Sequence, residues 1–319
     1  MSSASLRSNT LDTGTPPAPA SKASATDQPA SPRGGPQDSP WSLGTLYGIV
    51  LAALAAVYAP VIWSLFYDWN HNPNYSHGFI IPFAVAFFVW QQRAQLKSLP
   101  RRPTQWGLVL AVYSQIQYMI GYLGAEFFLQ RTSLLLLAAG IILYVWGWSH
   151  LRVHMFSLVL LLLAIPLPDL IFNAIAFPLQ LLASAWAAAL LNLCSIPVFR
   201  EGNILVLPQR TLDVAEACSG IRSLFSLLAL AMMVAYFVPV RWWIRLALVL
   251  SAVPIALATN AGRIASSGLA GRYLGPQYSE GFFHLFSGWL IFVFAFAALL
   301  VEAGIISRWA RRRHKKVAA

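Results

Sequence analysis

From about residue 43 onward the chain is a succession of apolar runs separated by short polar loops, and this pattern restricts what it can fold into. The runs lie near 43–65, 77–92, 105–122, 129–148, 154–168, 218–238, 243–262 and 284–303. A helix needs about 17–25 apolar residues to cross a bilayer. In that solvent every backbone polar group must be satisfied within the protein, which leaves helices or closed barrels. Composition agrees with the helical choice: 58% of the 319 residues are hydrophobic and only 10% are charged, against about a quarter charged in soluble domains. The expected fold is all-α, a polytopic integral membrane bundle of about eight transmembrane helices.

Basic residues set the orientation. Short loops rich in Lys and Arg stay in the cytoplasm. The loop "RAQLKSLPRR" (93–102), the segment "VRWWIR" (240–245) and the tail "RWARRRHKK" carry most of them, with a weaker vote from 149–154, while 66–76 and 123–130 carry none before Arg131 opens the next span. Both termini are thus expected in the cytoplasm. The net charge of +11 reflects these loops rather than a nucleic-acid surface. Residues 1–40 are rich in Pro, Ser, Ala and Thr and predict a disordered cytoplasmic tail. The membrane domain is expected over 41–305, and a basic cytoplasmic tail over 306–319.

An even number of spans leaves one apolar stretch over, "LIFNAIAFPLQLLASAWAAALLNLCSIPV" (170–198). A single crossing there would put "VRWWIR" on the outside. The stretch is therefore expected to be re-entrant or interfacial, broken at Pro178, with both ends outside. The alternation in "NILVL" and "RTLDVAEA" (within 199–217) predicts a small extracytoplasmic β-hairpin.

With this topology Cys218, Arg263 and His284 all fall at outer ends of spans. A thiol, an imidazole and a guanidinium form a minimal set for acyl transfer: the thiolate attacks, the imidazole moves the proton and the guanidinium holds developing oxyanion charge. Arg, His⁺ and a helix N-terminus each favour the thiolate. Taken singly, each residue also has an ordinary reading, as a packing cysteine, an interfacial histidine or a snorkelling arginine. Ionisable groups at span ends in such a cluster point to function. Glu216, two residues before Cys218, Arg222, one helical turn after it, and Asn260, one turn before Arg263, are candidates to support the site or bind substrate. His77 is a rival base, and Tyr75 and Ser76 are candidates for an entrance. Cys194 suits packing. With only two cysteines, neither a zinc site nor a disulfide framework is expected, and no cofactor is implied.

The motifs "EACSGIRS" (216–223), "NAGRI" (260–264) and "GFFHLFSGW" (281–289), with "NYSHGFIIP" (74–82), resemble those of the exosortases, bacterial inner-membrane cysteine enzymes with about eight spans. The resemblance runs from about residue 43 to 305. It implies Cys218 as nucleophile with Arg263 and His284 as partners. It implies substrates that are exported proteins ending in a Pro-Glu-Pro sorting signal, an apolar helix and a basic tail, cleaved at the periplasmic face, with a link to exopolysaccharide production. Membrane lipid is the other partner implied. The competing class is a non-catalytic subunit or transporter of a polysaccharide export system. Transporters often carry internal repeats, and no repeat is visible here.

Overall fold

The structure is a computed structural model that describes residues 43–208, 210–214, 220–275 and 281–318, with side chains except at 43–47, 210, 220, 281–285 and 313–318. The chain divides into two units at Ala52/Ala53. Of the first unit only the opening turns of a helix are described. The second holds everything that follows.

The described elements are helical apart from one small sheet. In chain order they are α1 (Leu43–His71), a 3-10 segment (Pro73–Phe79), α2 (Ile80–Gln91), α3 (Arg93–Ser98), α4 (Trp106–Leu123), α5 (Phe127–Val145), α6 (Trp148–Leu162), α7 (Asp169–Leu193), β1 (Phe199–Glu201), β2 (Ile204–Leu207), β3 (Arg210–Asp213), α8 (Gly220–Phe237), α9 (Trp242–Leu250), α10 (Ala252–Tyr273) and α11 (Gly281–Ala318). Five stretches among the described residues are long and apolar enough to cross a membrane: Gly48–His71, Phe127–Val145, Asp169–Leu193, Trp242–Tyr273 and Phe286–Arg312. Trp148–Leu162 and Ile221–Phe237 are apolar but shorter. The protein is thus a multi-pass helical membrane protein.

Contacts sort the loops into two ends. At one end Gln92 donates to the Tyr236 hydroxyl at 2.8 Å, and Phe88, Phe156 and Tyr236 pack with ring centroids 4.7–4.9 Å apart. Arg152, Arg245 and Trp242 border the same cleft as Gln92. The basic loops 93–102, 149–154 and 240–245 therefore gather there, as the charge pattern predicts. Ser251 at the start of α10 donates to Glu302 of α11 at 2.6 Å, which brings the second half of α11 toward that end. We call it the basic end.

The opposite end is joined by polar contacts. Arg131, 5% exposed, pairs with Asp68 at 2.6 Å and donates to Ser64 at 3.3 Å, tying the start of α5 to the end of α1. Helices α4 and α5 lie close because Gly107 and Gly140 face each other. A Cβ on Gly107 would sit 2.2 Å from the Tyr144 amide nitrogen, so only glycine allows this approach.

The stretch 170–198 departs from the re-entrant expectation: up to Leu193 it forms one continuous helix that is itself long and apolar enough to cross a membrane. Helix α7 is not broken at Pro178 but runs through it for 25 residues. A proline removes one i→i−4 bond. In an apolar setting the remaining bonds have no water to replace them, so continuing the helix costs less than opening it. Both ends of α7 contact elements away from the basic end. Phe172 packs near Tyr75 and Phe225. Ala183, Ala187 and Leu191 pack on Leu257, Ala261 and Ile264 of α10 and on the sheet.

The sheet is an antiparallel three-stranded meander, one strand more than the expected hairpin, in the order β1-β2-β3. Its register pairs Phe199 with Val206 and Leu205 with Leu212. Gly202, at φ +62, makes the first turn, a backbone state that favours glycine. Leu205, Leu207, Leu212 and Val214 point inward and are 0–5% exposed. Ser184 of α7 donates to the Gly202 carbonyl at 2.9 Å. The basic run after 305 is helical, since α11 continues to Ala318.

The Arg131–Asp68 pair gives a test. Asp68 is 33% exposed, so solvent screens the pair and its coupling should be about 1 kcal/mol. Arg131→Ala should cost about 1–3 kcal/mol through the uncompensated carboxylate and lost packing. Asp68→Asn should cost less, and the double variant should be less than additive. Thermal unfolding in detergent measures all three; strict additivity would show that the pair does not hold α1 to α5.

Candidate functional site

Helix α8 begins at Gly220, inside the cysteine motif and two positions after Cys218. The sheet holds the approach to it, because Val214 is fully buried and its amide donates to the Asn203 carbonyl at 3.0 Å. Glu216 and Cys218 lie outside the described residues. His284 is backbone only: its position is in the first turn of α11, and its side chain lies outside the described set.

Arg263, in the middle of α10, is buried at 8% exposure. A Cβ added to Gly288 of α11 would meet its Nη1 at 3.2 Å. The guanidinium therefore rests against the backbone of α11 at a point where a side chain would crowd it. Position 284 is one turn before Gly288 on that helix, and i, i+4 spacing puts the two positions on one face. Arg222, in the first turn of α8, is close enough for the Arg263 charge to act on it. Its Nε has no hydrogen-bond partner among the described residues.

Two small cavities flank this arrangement. One of about 10 Å³ is lined by Arg263, Asn260, Gly288, Ser223 and Thr259. Another of about 20 Å³ lies between α7, α8 and α10, bordered by Gln180, Ile221, Leu257 and Asn260; its volume suits about one water. Asn260, itself buried, borders both. The structure thus brings together Arg222, Asn260, Arg263 and the helix face of position 284. Gly288 is an addition that the residue types did not reveal. Its signal in the sequence is a residue without a side chain four positions after His284.

His77 is placed differently. Its Nε2 lies 3.1 Å from the Leu163 carbonyl oxygen. A carbonyl only accepts, so Nε2 carries the hydrogen there. The ring stacks on Phe225 of α8 with an interplanar angle of 6°. Its neighbours act alike. Trp69 donates from Nε1 to the Ala164 carbonyl at 2.8 Å, and the Tyr75 hydroxyl accepts from the Leu167 amide at 3.1 Å. Gly78 lies under the Trp69 indole, where an added Cβ would come within 2.3 Å of the ring. The "NYSHG" segment therefore fastens the turn after α1 to the end of α6 and to α8. Ser76 donates to Pro73 within its own turn. Cys194 follows α7, exposed and free. Among the described residues no group of His, Cys, Asp or Glu side chains could hold a metal ion.

A multi-pass helical protein with a buried arginine, Arg263, and a half-buried one, Arg222, on neighbouring helices is the class that fold and site define. The family model described as transmembrane exosortase matches residues 69–301, well over half of the chain. The protein belongs to the transmembrane exosortase family. No curated protein and no solved structure matches it.

Gly78→Ala tests the fastening. The methyl group would overlap the indole, and overpacking of this kind costs about 1–3 kcal/mol. The variant should unfold at a lower temperature than wild type in the same detergent. Unchanged thermal stability would mean that Trp69 is free to move away.

Proposed function

We propose that the protein is a membrane thiol transpeptidase that processes C-terminal sorting signals of exported proteins. The observation that carries this reading is the seat of Arg263: buried, against Gly288, beside Arg222, on the helix face that holds position 284. A charge so placed is costly to keep without a task.

In this reading the Cys218 thiolate attacks the scissile carbonyl. The sulfur–carbon bond forms, and the negative charge passes to the carbonyl oxygen, held by the Arg263 guanidinium. Collapse breaks the C–N bond, and the His284 imidazolium gives its proton to the leaving amine. An acceptor nucleophile, water or an amine, then attacks the thioester while His284 takes its proton, and the thiolate is restored. The helix N-terminus at Gly220 and the two arginines favour the thiolate before attack. With Nε2 committed to Leu163, His77 serves the framework and leaves base chemistry to His284.

The bundle crosses the inner membrane eight times, through α1, the 3-10 segment with α2, α4, α5, α6, α8, α9 with α10, and α11, with α7 lying beside them. The basic end is cytoplasmic with both termini, and the site end faces the periplasm. This agrees with the gathering of the Lys- and Arg-bearing loops at one end. A substrate with an apolar helix and a basic tail would lie alongside, its tail cytoplasmic and its Pro-Glu-Pro segment level with Arg222. Arg222 then takes the glutamate carboxylate of the signal, while Glu216 and Asn260 orient groups around it.

Processing of a co-expressed substrate tests the assignment. Cys218→Ala should abolish it, and Arg263→Gln and His284→Ala should each slow it by about 10²–10⁴, with membrane levels unchanged. A silent Cys218→Ala would instead indicate a non-catalytic export subunit. Arg222→Gln should slow a Pro-Glu-Pro substrate roughly 10–100-fold, as for loss of a charge-assisted hydrogen bond. It should leave a Pro-Gln-Pro substrate nearly unaffected. Equal losses on both would remove Arg222 from signal recognition.

A further inference from the structure

The basic end holds a cleft that the proposed chemistry does not use. Its volume is about 730 Å³, within the roughly 300–1,000 Å³ typical of ligand sites. It lies between the α2–α3 junction, α6, α8 and α9. Its polar rim is formed by Gln92, Gln95, Arg152 and Arg245. Arg245 is fixed by a bond from Nε to the Val238 carbonyl at 3.1 Å, which leaves its terminal nitrogens available. No carboxylate lines the cleft, and among the described residues none pairs with either arginine. Away from the rim the walls are apolar, with Met155, Val159 and Leu246 each more than 40% exposed.

We propose that this cleft binds an anionic phospholipid, with the phosphodiester at Arg152 and Arg245 and an acyl chain along the Met155–Leu246 wall. The ligand must carry negative charge, because two cationic side chains line the cleft and no carboxylate does. It must also carry a long apolar part, because the rim opens directly onto an apolar wall. A basic peptide tail is repelled by the rim. A soluble phosphate ester leaves the wall uncovered. A zwitterionic lipid brings an amine for which the cleft offers no carboxylate. Basic pockets between transmembrane helices at a membrane surface suit anionic headgroups, each Lys or Arg contributing about tenfold or less in affinity. The lipid would bridge α6 and α9, whose arginines both line the cleft.

The test uses the full chain in detergent, exchanged into mixed phosphatidylglycerol and phosphatidylcholine, with bound lipid measured by mass spectrometry. Wild type should retain phosphatidylglycerol roughly tenfold over phosphatidylcholine. Arg152→Gln with Arg245→Gln should abolish that preference. Met155→Trp, at an exposed position with both charges intact, should reduce retention of phosphatidylglycerol by filling the wall. Should the double arginine variant fail to reach the membrane, the Met155→Trp variant and the wild-type preference still decide. Glycerol phosphate in excess should displace nothing. Absence of preference in wild type, unchanged retention in the variants, or displacement by glycerol phosphate would each overturn the proposal.

Discussion

The chain just past α6, at Leu163, Ala164 and Leu167, presents backbone groups to three side chains from 69–77, which take them. Helix termini always present such orphans. In an apolar medium each one left unmet costs several kcal/mol. Trp69 and His77 cover two carbonyls, at Ala164 and Leu163, and Tyr75 accepts from Leu167. These bonds span 86–95 residues of sequence and join α1, the 3-10 segment and α6 into one body. Because His77 also stacks on Phe225, α8 is registered against that body. Arg222 sits one turn from Phe225, so the position of the guanidinium pair depends on contacts that contain no catalytic chemistry.

A second layer of support comes from small residues. Gly107 and Gly140 let α4 and α5 close together, Gly78 accepts an indole, and Gly288 accepts a guanidinium. Helices in lipid gain little from burying apolar side chains against one another, since lipid is equally apolar. Close backbone approach, which increases dispersion contact, replaces that driving force. The sheet follows a different logic. Its buried face, from Leu205 to Val214, packs as a soluble protein would on α7 and α10, and this holds the chain four residues short of Cys218.

Much of this was legible in the residue pattern. The apolar runs located most helix starts to within a few residues, but the run near 154 begins earlier, at Trp148, that near 243 divides at Ser251, and three helices outlast their runs, to His71, Tyr273 and Ala318. Charge in the loops foretold which of them meet. Alternation foretold strands before Cys218, though not the third one. The rest was hidden for identifiable reasons. Proline lacks one donor and crowds the carbonyl a turn before it, yet α7 carries Pro178 within 25 continuous helical residues, which local rules do not foresee. The Arg131–Asp68 pair joins residues too far apart in sequence for local periodicity to connect. His77 looked like a base because its partner is a backbone carbonyl, which no residue type announces. At the site Arg263 and Asn260 lie in the middle of α10 rather than at the span end expected for Arg263, because that helix continues to Tyr273, while Glu216, Cys218 and the His284 side chain lie outside the described residues.

Helix α11 has 38 residues, which at ~1.5 Å each gives a rod about 57 Å long, against a hydrocarbon thickness of about 30 Å. Arg308, Arg311 and Arg312 lie on the same unbroken helix as Gly288, which seats Arg263. With no hinge between them, an axial shift imposed on the basic run would be shared by the backbone beneath the guanidinium.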